Sequence, residues 1–447
     1  MSFQQGLSGL NATSKNLEVI GNNIANAGTY GAKAARAEFS DFYAAALGGG
    51  SGSQVGMGTK LATVAQQFTQ GSVVATDNPL DIAINGAGFF QVSDGVGTTK
   101  YSRNGQFKLD NQGYIVNNTG LKLMGYSADQ GTGQIQAGLA LPLQLPTGGI
   151  APKPTTDIKM QFNLDSTKSV TVPAAAPLID FNDSTSYNNA TSLTVYDAKG
   201  QPVAMTYYFQ RATGKTAANP TDPDAWNVFM TANGATVGGT EAAPDPVFTV
   251  TFTDDGKGPT ATSLGAINTA NGHVELTLPD IQGGPVSDKD DDPGNNTLPL
   301  LLSGMKMDID VTQFASPFGV TDLSQNGFSA GKMVSIGIES NGIVTARYSN
   351  GQTKSAGQIE VANFRNLQGL QPLGNNMWGF TYASGDPVTG VPGEGNLGVL
   401  QAGALEESNI DMTAELVNMI TAQRAYQANA QTIKTLDQVM QTLVNLR

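Results

Sequence analysis

The sequence has no cysteine and a single histidine, His273. The first absence excludes thiolate nucleophiles, iron–sulfur clusters, Cys-ligated zinc and disulfide staples. The second excludes paired-histidine metal sites and leaves any Ser-His-Asp triad hanging on one imidazole. Charge is scarce as well: 14% of residues are Asp, Glu, Lys or Arg, where ~25% is usual. What charge there is leans acidic, with 24 Lys+Arg against 37 Asp+Glu and a net charge of −13. That balance argues against polyanionic partners, so neither nucleic acid nor an anionic membrane surface is expected. Long hydrophobic runs are missing: Leu298 to Met305 is interrupted and far short of the ~18 residues that span a bilayer. The stretch Met1 to Leu10 lacks the basic, apolar and small-residue regions of a secretory signal. The expectation is no membrane insertion and no cleaved signal peptide.

In place of charge stand glycine, with 54 residues in 447, and the neutral polar residues Asn, Gln, Ser and Thr. A hydrophobic fraction of 39% separates the chain from disordered sequences. The composition reads as turn-rich β structure with large neutral surfaces. Such surfaces suit contacts between copies, because little charge has to be desolvated. The length allows two to four domains at roughly 100–200 residues each.

Both ends of the chain carry a different period. Phe3, Leu7, Leu10, Leu17 and Ile24 step by four and three, with Ser14 and Gly21 filling the register, and the spacing predicts a coiled-coil-like helix over residues 2–28. Met412, Leu416, Met419, Gln423, Tyr426, Ala430, Ile433, Asp437, Met440 and Val444 repeat the same steps, with a start near Asp411. Isolated helices are marginal in water, so both must pack on each other, on the body or on another chain. Two arrangements fit: an ordinary two-helix layer within one chain, or ends that pair when copies stack. Polar Gln423 and Asp437 within the seam favour a wet or register-specifying interface.

Between the ends the period is that of strands. Asp81–Ile84, Gly88–Val92 and Lys100–Ser102 lead to Arg103-Asn104-Gly105-Gln106, an Asn-Gly hairpin signal before Phe107–Leu109. A turn at Asp110–Gly113 and a strand at Tyr114–Val116 continue an antiparallel meander. Prolines 142, 146, 152 and 154 mark a boundary near residue 150. Beyond it, strands at residues 192–196, 205–209, 226–230, 247–252 and 274–278 predict a sandwich or barrel, and strands resume at 333–339, 343–348 and 358–363. The expected architecture is mainly β and multidomain, with terminal α-helices forming an assembly domain. The divisions are residues 1–28 with 405–447, a linker at 29–75 containing the flexible Gly48–Ser53, a first β domain at 76–149 with 326–404, and a second at 150–325.

Three segments resemble a known family. Ala12 to Phe39, containing Asn22-Asn23-Ile24-Ala25-Asn26, is similar to the N-terminal signature of the flagellar axial proteins, the rod and hook subunits. Gly403–Asp411 and Ala422-Gln423-Arg424-Ala425-Tyr426-Gln427-Ala428-Asn429-Ala430 are similar to its C-terminal partner. Asp81–Ile84, Gly88-Phe89-Phe90 and Tyr101–Phe107 are similar to the core that rod and hook subunits share. Where the family usually carries Gly-Phe-Lys, this chain reads Gly31-Ala32-Lys33. The large insert after residue 150 and the ending Leu443–Arg447 are closer to the hook branch than to the distal rod branch. The resemblance implies a bendable, self-assembled helical tube that acts as a universal joint carrying torque from rod to filament. In its inner layer Leu7, Leu10, Leu17, Ile20 and Ile24 would pack against Leu416, Met419, Ile420, Tyr426, Ile433 and Met440. Asn22, Asn23, Asn26, Gln423, Arg424 and Asn429 match the family motifs. It further implies further copies of the chain, the rod, the hook cap, the hook–filament junction proteins and the flagellar type III export apparatus as partners, and an extracellular location in the flagellum.

No local motif nominates catalytic, cofactor or metal residues. The acidic tract Asp288–Asp292 lacks EF-hand spacing, with Pro293 and Pro299 where the turn glycine and bidentate Glu belong, and reads as a solvated loop. Gly86-Ala87-Gly88 precedes a strand instead of a helix and reads as a turn. His273 sits beside a turn as a surface imidazole. The reading from another class is a secreted β-rich carbohydrate-active protein or adhesin, which would leave both helical seams unexplained.

Overall fold

The computed structural model describes residues 2–42, 58–95, 97–129, 133–136, 138–173, 177–214, 223–240, 242–253, 256–268, 272–281 and 302–445. Gly48–Ser53 and Asp288–Asp292 lie outside the described residues. The chain forms two compact units, one of residues 1–147, 333–347 and 353–447, the other of residues 148–332 and 348–352.

The first unit begins with helix α1, Ser2–Asn26, and ends with helix α2, Met412–Asn445. Residues 29–75 are not a structureless linker: β1, Ala35–Phe42, pairs antiparallel with β2, Gly58–Gln66. Small alanines stand where β-branched residues usually signal a strand, and the register slips between Glu38 and Phe39, so no clean alternation shows in the sequence. Residues 405–411 are not helical either, because Ala404–Glu406 pairs with β3, Val73–Ala75.

The body of this unit is built from β4, Ile82–Asn85; β5, Phe89–Ser93; β6, Lys100–Ser102; β7, Phe107–Leu109; β8, Ile115–Asn117; and β9, Lys122–Ser127. β7 and β8 pair as expected across the Asp110–Gly113 turn, and β8 goes on to pair with β9, a strand the sequence reading did not include. The expected β6–β7 hairpin does not form: β6 pairs with β5 and with Met377–Gly379. Asn104 takes up its own turn by accepting from Gln106 N at 3.0 Å, and Gly105 O accepts from Ile82 N at 3.0 Å. The Asn-Gly pair therefore makes a crossing against β4 instead of a two-residue turn. A Cβ on Gly105 would collide with the Ile82 carbonyl, so glycine is required there by close approach. Ile82, Ile84, Phe90, Val92, Phe107 and Ile115 fill one core, and Phe89, Tyr101, Phe364 and Trp378 fill a second with edge-to-face rings.

In the second unit Asp157–Asp165 alternates buried Ile158, Met160, Phe162 and Leu164 with outward polar residues. It pairs parallel with Lys306–Phe314 and antiparallel with Gly319–Gln325. A second sheet runs Asn189–Tyr196, Pro202–Thr213, Asp224–Ala232, Phe248–Phe252. Both sheets contribute to one core around Trp226, Tyr207, Phe209 and Phe162, as a sandwich requires.

Candidate functional site

The two terminal helices pair within one chain, and the contacts fix their direction. A Cβ on Gly6 would stand 3.1 Å from Ile433 Cγ1, Asn429 Nδ2 donates to Thr13 Oγ1 at 3.4 Å, and Asn23 Nδ2 donates to Glu415 Oε1 at 3.2 Å. Rising numbers on α1 meet falling numbers on α2, so the helices are antiparallel. Gly9 brings the backbones close, since a Cβ there would lie 2.9 Å from Asn429 Nδ2. Ile20 and Ala422, each 5% exposed, close the middle of the pair.

This pairing uses a small and polar face. Among the apolar positions expected to pack together, Ile20 is buried, and Leu10, Leu17, Ile24, Met419 and Ile433 are half-buried. Leu7, Leu416, Ile420, Tyr426 and Met440 are exposed, Ile420 by 51% and Met440 by 62%, with Val417 and Val439 beside them. Within one chain, then, much of the apolar stripe faces outward. Large apolar side chains left exposed along both helices mark an interaction surface. Of the motif residues, Asn23 is buried, Asn26 and Asn429 are half-buried, and Asn22, Gln423 and Arg424 are exposed.

The motif asparagines work on backbone. Asn23 accepts from Ala35 N at 2.9 Å and donates to Ala35 O at 2.8 Å, which clamps the start of β1 to α1. Asn26 Nδ2 donates to Asn22 O at 2.9 Å near the end of α1. Asp411 accepts from Thr413 N at 2.9 Å and Ala414 N at 3.1 Å, an N-cap that starts α2 one residue later.

Sequence reasoning missed the joint that ties these helices to the β body. Glu406, on the strand before α2, is fully buried and accepts from Lys33 Nζ at 2.5 Å, Gly71 N at 3.0 Å and Arg103 Nη1 at 3.1 Å. Arg103 also donates to Gly86 O at 2.8 Å and lies over the Phe89 ring, so the turn at Gly86–Gly88 is held by a cation. Lys33 donates further to Thr69 O at 2.8 Å. Burial pushes the Lys33 ammonium and the Arg103 guanidinium below their ordinary pKa values, with Glu406 opposing the shift in both. Asn409 completes the joint by accepting from Ala34 N at 2.8 Å and donating to Gln67 O at 2.8 Å. Gly403–Asp411 is a family-like segment of the sequence, but nothing in its spacing assigns Glu406 two partners hundreds of residues earlier. In the second unit His273, expected at the surface, is partly covered and pairs Nδ1 with Asp308 Oδ1 at 2.8 Å.

A chain with paired termini, an outward apolar stripe and β units strung between them has the build of a subunit. Four family models match it in order: Flagella basal body rod protein over residues 3–33, Flagellar hook protein FlgE/F/G D1 domain over 83–201, Flagellar basal body protein FlaE D2 domain over 163–328, and Flagellar basal body rod FlgEFG protein C-terminal over 401–446. These define the class as a flagellar axial protein. The chain is 41% identical to the flagellar hook protein FlgE of Salmonella typhimurium and 40% identical to that of Escherichia coli K12, in each case over 100% of both chains. The crystal structure of the Helicobacter pylori flagellar hook protein FlgE2 shares the fold, with a TM-score of 0.51 at 14% identity, covering 74% of this chain and 100% of that one. The chain belongs to the flagellar hook protein family and is a structural subunit of the motility apparatus at the hook. The distal rod and carbohydrate-active readings fall away. No described helix is long and apolar enough to cross a membrane.

Proposed function

We propose that copies of this chain polymerise through α1 and α2 into an open helical tube that bends while it carries torque between rod and filament. The observation that carries this reading is the apolar stripe of Leu7, Leu416, Ile420, Tyr426 and Met440, which the helix pair of a single chain leaves in water. At ~25 cal/mol per Å² of apolar surface covered, burying such a stripe between copies is the largest available gain. A heterologous contact repeated by rotation and rise gives an open polymer instead of a closed ring. α1 and α2 would form the inner tube, residues 76–149 with 326–404 the next layer, and residues 150–325 the outermost. Neutral Asn, Gln, Thr and Gly surfaces on the outer layers would slide during bending, because no desolvated ion pair locks one register. The role is structural and non-catalytic and needs no cofactor. The resemblance to axial proteins supports an extracellular position, export through the flagellar type III apparatus, and end contacts with the rod, the hook cap and the hook–filament junction proteins.

The test is electron microscopy of purified protein at high concentration or in high salt. Tubes are expected from the unaltered chain. The double variant Leu416→Asp, Ile420→Asp should form none while its monomer unfolds at an unchanged denaturant midpoint. Tubes of normal yield from that variant would sink the reading.

A further inference from the structure

A groove of about 500 Å³ runs between α1, β1 and α2. Its walls are small, with Ala34, Ala37, Ala422 and Ala425 among them, and its acid is Glu415. One carboxylate oxygen of Glu415 accepts from Asn23, but the other, Oε2, is buried and has no hydrogen-bond partner among the described residues. A buried acceptor left unpaired is costly, and an ionised one more so. The basic residue lining the same groove, Arg36, is engaged at 2.6 Å with Glu38. The groove thus has room, alanine walls and an unpaired carboxyl oxygen.

The answering group lies on the far side of the same helix. Arg424 is nine residues after Glu415, two and a half turns at ~3.6 residues per turn, which sets it on the opposite face of α2. It is exposed and has no acidic partner among the described residues. Val417 and Ile420, 59% and 51% exposed, flank it on that face. A long guanidinium side chain with two apolar neighbours is the complement of a small-walled groove with a free carboxylate oxygen. One chain cannot bring the two faces of its own helix together, so the occupant that this complementarity selects is a second copy.

We infer that the outer face of α2 of one copy seats in the α1–β1–α2 groove of the next, with Arg424 donating to Glu415 Oε2. The contact uses different surfaces on the two copies, as an open polymer demands. This inference rests on the tube-forming function proposed above and adds to it which face meets which groove. It makes Arg424 a positioning residue that sets register, while Val417 and Ile420 supply the apolar area.

The absence of cysteine permits a direct test in the full-length chain. Single variants Asn418→Cys, which lines the groove, and Ala428→Cys, exposed one turn after Arg424 on the outer face, are mixed, polymerised and oxidised. A covalent heterodimer of the two variants is expected in tubes and not in monomer. In parallel, Arg424→Glu should raise the concentration needed for polymerisation by roughly tenfold or more, the scale of one charge-assisted hydrogen bond. The exchanged pair Glu415→Arg, Arg424→Glu should recover most of that loss. Tubes that form without the heterodimer, or an Arg424→Glu variant that assembles like the unaltered chain, overturn the inference and leave the tube-forming function standing. Failure of the unaltered chain to form tubes overturns the function itself. Should the exchanged variant not fold, the cross-link and Arg424→Glu decide alone.

Discussion

Replacing Glu406 by Gln should loosen the joint between the helices and the β body more than any surface change can. Side-chain exposure is 0% for Lys33 and Glu406 and 6% for Arg103, so solvent cannot take over from a lost partner. Glutamine keeps the shape but has one acceptor oxygen where the carboxylate has two, and its amide N–H would point at a cation. Two positive groups would then share the interior without a counter-charge. Removing one partner of a buried pair typically costs ~3–5 kcal/mol. We expect about 3 kcal/mol for Glu406→Gln and about 5 kcal/mol for Glu406→Ala, which also opens a cavity. The two tryptophans separate the units, since Trp378 belongs to the first and Trp226 to the second. In a Trp226→Phe background, urea unfolding followed by Trp378 fluorescence reports the first unit alone. At a slope near ~2–3 kcal/mol per M, the Gln variant should lose about 1 M or more from its midpoint. The triple variant Lys33→Met, Arg103→Met, Glu406→Leu should recover most of it, because an apolar trio of similar volume carries no desolvation cost. A Gln variant within ~1 kcal/mol of the unaltered chain would refute the reasoning.

Four further outcomes follow from the structure. Asp411→Ala removes the N-cap of α2 and should cost about 1 kcal/mol of helix stability, read as a lower midpoint of the helical circular dichroism signal. Phe209→Ala in the second unit should cost ~3–5 kcal/mol there and shift Trp226 fluorescence unfolding while leaving the Trp378 signal unmoved. Alkaline titration followed at 295 nm should show delayed tyrosines. Burial first, then Glu360, pushes both Tyr101 and Tyr126 up to about 12, and burial raises Tyr207 as well. Their folded pKa values exceed the unfolded one, so their contribution is full below pH 10 and is lost as pH rises toward 12. Lys33 acts with the opposite sign, because its folded pKa is lowered and the unfolded chain binds more protons; its penalty fades as pH approaches 10.5. A Lys33→Met variant should therefore keep the alkaline loss above pH 10.5.

The period of four and three at both ends determined that α1 and α2 exist, and Asp411 announced where the second begins. Strands that alternate apolar and polar residues were equally legible, as at residues 205–209 and 274–278, because a half-buried pleated surface writes itself at period two. Composition alone removed thiol and paired-histidine chemistry. What the sequence could not decide was partnership. An apolar stripe states that a face must be covered but not by what, and here Gly6, Gly9 and Asn429 make the contact within the chain while Leu416 and Ile420 are left for elsewhere. The Asn104-Gly105 signal was overridden because Gly105 was needed for close approach to Ile82. Glu406, Lys33 and Arg103 lie so far apart along the chain that no local spacing could join them. Only the folded first unit brings one carboxylate and two cations into a place without water, where their charges have to answer one another.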